Sequence, residues 1–139
     1  MRLYNYELEQ HLLSGLMQNP EMYFKISGFI SEKDFYSAST SFNRSLFLII
    51  KSSIEKNESI DEYLISEKVK DLGIVFEEGI DCLEYLQSLL LRKSSKKSII
   101  DTAKEIKIFT LKRDICKIGK DLNDSMQSPS LNNYQDIID

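Results

Sequence analysis

A chain of 139 residues can bury one ordinary core without help from metals or disulfides, and 42% hydrophobic against 29% charged residues is the balance of a globular domain. It carries no apolar run of membrane-spanning length and no basic-then-apolar leader, so a soluble cytoplasmic protein is expected, with no membrane partner. The net charge of −4 is unevenly placed: eight basic against fifteen acidic residues up to Leu91, ten against three from Arg92 to Lys120, and none against four beyond. A basic middle suits phosphate or the acidic surface of a neighbouring subunit; with Phe109 the one aromatic inside it, the solvated or protein-facing reading is favoured. Cys82 and Cys116 lie far apart among aliphatic residues and read as buried, reduced thiols.

Several segments repeat their apolar residues at helical spacing and none alternates like a half-buried strand, which predicts an all-α fold. Asn5 is placed to cap a first helix with Glu7 and Glu9 in its first turn and Leu8, Leu12, Leu13, Leu16 and Met17 on one face. Asn19-Pro20 ends it and opens a short second helix anchored by Phe24 and Ile26, with Gly28 as its stop. Ser31 and Asp34 have the spacing of a capping box, Phe35-Tyr36 supply bulk behind it, and Ser37 to Ser41 form a loop. Phe42 to Lys56 is densely apolar and predicts a largely buried central helix. Asp61 caps the next, with Leu64, Ile65, Val69 and Leu72 as its face and Gly73 as a left-handed stop. Asp81 and Glu84 open a helix carrying Leu83, Leu86, Leu89 and Leu90. The expected core of this head, residues 1–97, gathers Leu12, Leu16, Phe35, Phe47, Ile50, Leu64, Leu72, Leu86 and Leu90.

Ser98 to Met126 organises the rest. Ser98 and Asp101 open a long helix on which Ile99, Ala103 and Ile106 share one face while Ile108, Leu111, Ile115, Ile118, Leu122 and Met126 share another. At about 100° per residue the two stripes lie roughly 140° apart, so one helix serves two surfaces. The first half packs on the head and the second leaves it to meet another molecule. Ser128-Pro129-Ser130 makes a turn into a last apolar segment, Tyr134, Ile137 and Ile138, and residues 98–139 read as a helical hairpin with a short or truncated second arm.

Chemistry is sparse. No phosphate-binding loop or dinucleotide fingerprint occurs, and His11 is the single histidine, so no catalytic, metal-ligating or cofactor-binding set is assigned. The acidic residues that could serve acid–base roles fall at helix starts. An interaction module, without catalytic activity of its own, is expected.

The ordered motifs resemble the N-terminal domain of the DnaB-type replicative DNA helicases. Glu7-Leu8-Glu9-Gln10-His11-Leu12-Leu13-Ser14-Gly15-Leu16 is similar to that family's Glu-Ala-Glu-Gln-x-x-Leu-Gly-x-Leu helix, Asp34-Phe35-Tyr36 to its Asp-Phe-Tyr, and Asn43-Arg44-Ser45-Leu46-Phe47 to its His-Arg-x-Ile-Phe. Ile60-Asp61, Leu72-Gly73, Tyr85-Leu86, Ala103, Ile106 and Arg113 follow in order. Asn43 stands where the family usually has His, Ser14 replaces a Gly, Thr102 a Tyr, and the link from Tyr36 to Asn43 is a few residues longer, which marks a divergent member. The resemblance implies a helical head and hairpin, homo-oligomerisation from a dimer up to a hexameric collar, docking of primase and of a helicase loader, and DNA reached only indirectly. ATP and Mg belong to a motor domain that these residues do not include. Ile108, Leu111, Ile115, Ile118 and Leu122, with Arg113 at the rim, are the expected interface. Alternatives are the helicase-binding domain of a primase, similar in shape, and a small helical nucleic-acid-binding protein.

Overall fold

A computed structural model describes residues 2–36, 42–75, 79 and 81–127. Among these the chain is all-α: α1 (Tyr6–Gln18), α2 (Tyr23–Ile26), α3 (Asn43–Glu55), α4 (Glu62–Asp71), α5 (Cys82–Leu90) and α6 (Lys96–Gln127), with 3-10 turns at Pro20–Met22 and Glu32–Asp34. The expected loop at Ser37–Ser41 and the turn and apolar segment after Gln127 lie outside the described residues.

Local chemistry sets several of the boundaries. Asn5 accepts from the Leu8 N–H at 3.2 Å and Asp61 from the Leu64 N–H at 2.8 Å, each satisfying a donor that a helix start leaves open. Ser31 and Asp34 form the full capping box, here over a 3-10 turn. Gly73 adopts φ 66°, the left-handed conformation that ends α4. Other starts differ from the sequence reading. Asn19 and Asp81 stand at helix starts but make no side-chain cap. The long helix opens one turn early, with Ser95 Oγ accepting from the Ser98 N–H at 3.1 Å; Ser98 lies inside it and pairs with His11 Nε2 at 3.0 Å. α2 ends at Ile26 with Ser27 as its C-cap, directly before Gly28, which takes no positive φ.

α1 is the axis of the head, packing against α3, α5 and α6. Its face Leu12, Leu13 and Leu16 is fully buried together with Phe35, Leu46, Phe47, Ile50, Leu86 and Ile99, and the Phe35 and Phe47 rings stack at 4.6 Å between centroids. Close approach of α6 to α1 depends on Gly15: a Cβ there would stand 2.5 Å from Ile99 Cγ1 and 2.9 Å from Ser94 Oγ. Gly is thus the residue that lets α1 and α6 touch.

Three residues of the expected core, and the expected anchor of α2, need correction. Leu64 (45% exposed) and Leu72 (66%) lie outside it, because α4 turns Ile65, Ser66 and Val69 inward. Leu90 is half-buried at the core's margin. Phe24 is exposed, and its neighbour Tyr23 is the aromatic that anchors α2, with its hydroxyl donating to Glu55 Oε1 at 3.0 Å. Burial and the Glu55 carboxylate push the Tyr23 phenol up to about 12. Cys82 is buried against Ser66, but Cys116 is half-buried; both are free thiols.

Candidate functional site

The two stripes of α6 have different fates. Ile99, Ala103 and Ile106 are buried against the head. Ile108, Leu111, Ile115, Ile118, Leu122 and Met126 are all exposed, Ile115 by 69%. From Asp114 to Met126 every residue is exposed except the half-buried Cys116. At about 1.5 Å per residue the 32 residues of α6 span roughly 48 Å, and its second half projects beyond the head as an arm. Six aliphatic side chains in contact register on such an arm form the kind of apolar surface that soluble monomers rarely leave in water.

The root of this arm is fastened by polar contacts. Asp34, 1% exposed, accepts from Thr110 Oγ1 at 2.7 Å and from Lys107 Nζ at 3.3 Å, so its buried charge is paired. Arg113 donates to the Leu3 carbonyl at 2.8 Å, to the Asp34 carbonyl at 3.2 Å and to Thr110 Oγ1 at 3.2 Å, and lies over the Tyr36 ring. Arg113 is therefore not at the rim of the exposed stripe. It sits roughly 170° around the helix from that stripe's centre, turned to the head. Periodicity places the apolar face, but the arginine's reach to backbone carbonyls 79 and 110 residues away has no local signature.

Beneath the arm, the motif residues meet in one buried network. Glu9, 2% exposed, accepts from the Tyr36 N–H at 3.1 Å and from Asn43 Nδ2 at 3.3 Å. Asn43 Oδ1 accepts in turn from the Tyr85 hydroxyl at 2.8 Å. Arg44 clamps the Phe35 carbonyl through Nε and Nη2 at 3.1 and 2.9 Å. Burial raises the Glu9 carboxyl above its ordinary value, opposed by the hydrogen bonds from Tyr36 and Asn43 and by the charges of Arg113 and Arg44. Burial likewise raises the Tyr85 phenol. The amide of Asn43 can donate to a carboxylate and accept from a phenol at once, which suits this position. Ser14, where a glycine is usual, buries its hydroxyl by donating to the Leu89 carbonyl. These residues lock α1, the Glu32–Asp34 turn, α3 and α5 together. No group of three or more His, Cys, Asp or Glu side chains able to hold a metal occurs among the described residues.

The match of residues 1–108 to the DnaB-like helicase N terminal domain decides the family. The chain belongs to it. The replicative DNA helicase DnaB of Buchnera aphidicola subsp. Baizongia pistaciae (strain Bp) is 30% identical over 132 residues, covering 95% of this chain and 27% of that helicase's length. The DnaB-type match ends at Ile108, where the exposed stripe of α6 begins. The all-α architecture agrees with that family, and no helix among the described residues is long and apolar enough to cross a membrane.

Proposed function

We propose that this chain is the oligomerisation and partner-docking domain of a replicative hexameric DNA helicase, on which copies pair through their α6 arms and present their heads to a primase or a helicase loader. The exposed aliphatic stripe on the projecting half of α6 carries this reading. Its spacing of three and four suits a second helix lying nearly parallel or antiparallel to it. Burying each aliphatic contributes on the order of 1.5 to 3 kcal/mol before association costs, enough in sum for a dimer.

Sedimentation of the wild type beside a Leu111→Asp/Ile115→Asp variant tests it. Unpaired carboxylates in the contact dissociate the assembly while the head stays folded by circular dichroism. A wild type that remains monomeric at hundreds of micromolar, or a variant that loses its helix signal, overturns the reading.

A further inference from the structure

The basic segment Arg92 to Lys120 holds one aromatic in sequence, and the fold changes that. Residues 2–5 run back over the root of α6, where Arg113 holds the Leu3 carbonyl at 2.8 Å. This brings an arginine and tyrosines onto the basic helix. Tyr4 stacks on Tyr36 with centroids 4.2 Å apart and planes within 2°, and Tyr6 tilts against both. The Arg113 guanidinium lies 5.6 Å from the Tyr36 centroid. Arg2 and Lys112 both lie on the Phe109 ring, at 5.6 and 5.0 Å.

The charges here are not held in direct ion pairs. Among the described residues, Arg2, Lys112, Lys117 and Lys120 form no ion pair with a carboxylate, and the hydrogen bonds of Arg113 go to carbonyl and hydroxyl oxygens. Asp34 is already balanced by Lys107. Two cations held on one ring repel each other, and an anion between them relieves that repulsion. Arg113, Lys117 and Lys120 occupy the half of α6 away from the aliphatic stripe, with Asp114 and Asp121 one helical turn either side of Lys117, while Lys112 stands at the stripe's edge, one turn after Ile108. Unpaired cations beside a stacked, 37% exposed tyrosine are what a single strand uses, phosphates on the charges and a base on the ring.

We propose that Arg2, Tyr4, Tyr36, Lys112, Arg113 and Lys117 form a surface for single-stranded nucleic acid. The surface is centred on the half of α6 away from the stripe, with Lys112 at its edge, and does not require assembly through the stripe. Neutralising about four phosphates gives a log–log salt slope near −3 for a single strand, so the contact is weak at physiological salt and strong in low salt.

Fluorescence anisotropy of the 139-residue chain with a labelled oligothymidylate of about fifteen nucleotides tests this across a salt series. Saturable binding with that slope is expected. Tyr4→Ala weakens it by roughly tenfold with little change in slope, Tyr4→Phe restores it, and Lys112→Glu flattens the slope. Sedimentation of Tyr4→Ala matches that of the wild type, which separates this surface from the stripe. No binding at low salt, or equal binding by wild type, Tyr4→Ala and Lys112→Glu, overturns the proposal. So does equal competition by duplex DNA or polyglutamate, which makes the patch a general anion surface suited to an acidic protein.

Discussion

Glu9 shows how a charged residue is held inside this head and what that costs. Its carboxyl is raised by burial, so over the window starting at the ordinary value of 4.5 the native chain holds a proton that the unfolded chain has lost. Stability contributed by that difference is present in full below the window and falls as pH rises through it. Glu9→Gln removes the titration, so its denaturation midpoint improves relative to wild type as pH climbs above about 4.5. Parallel profiles across that range would mean that Glu9 ionises alike in both states. Phe47 tests the apolar side of the same core. It is fully buried and stacked on Phe35, and Phe47→Ala should cost about 3 to 5 kcal/mol in urea unfolding, against under 1 kcal/mol for a site outside the core.

Among the elements, α1 and α6 meet where Gly15 faces Ile99. A methyl at Gly15 must displace the Ile99 side chain and Ser94 Oγ, so Gly15→Ala should destabilise by about 1 to 3 kcal/mol despite the better helix propensity of alanine. Thermal unfolding that is unchanged or improved would show that the contact yields freely. Elements of this kind were legible where the signal is local: Asn5 and Asp61 cap helices because a short acceptor stands three residues before an open N–H, and Gly73 ends α4 because its φ suits few other residues. They were illegible where rotation decides. Leu64 outranks Ser66 by hydrophobicity, yet α4 turns Ser66 inward beside Cys82 and Leu64 outward. Tyr23 displaces Phe24 from the core in the same way, because its hydroxyl finds Glu55. The candidate site divides likewise. The aliphatic stripe follows from spacing on one helix, whereas the Arg2, Tyr4 and Arg113 cluster joins the chain's beginning to α6 across more than a hundred residues.

At the scale of the whole molecule, the head and the arm differ in what stabilises them. The head has its own core, while α6 beyond Asp114 has water around it and gains little from propensity alone, since isolated helices need neighbours to be firm. On the proposed pairing of arms, folding of the arm is coupled to association. Any species that binds the native state raises its apparent stability with concentration, so the melting temperature should rise as protein concentration rises. The Leu111→Asp/Ile115→Asp variant should melt at a temperature independent of concentration, with the head transition retained. Helix content should separate the two parts as well: dilution lowers the helical signal of the wild type by the share belonging to the arm and leaves the near-ultraviolet signal of the head's aromatic residues unchanged. Scanning calorimetry and circular dichroism over a hundredfold dilution series provide the check. A wild-type melting temperature that stays fixed across that series would mean that the arm is self-supporting and that the stripe is not coupled to assembly.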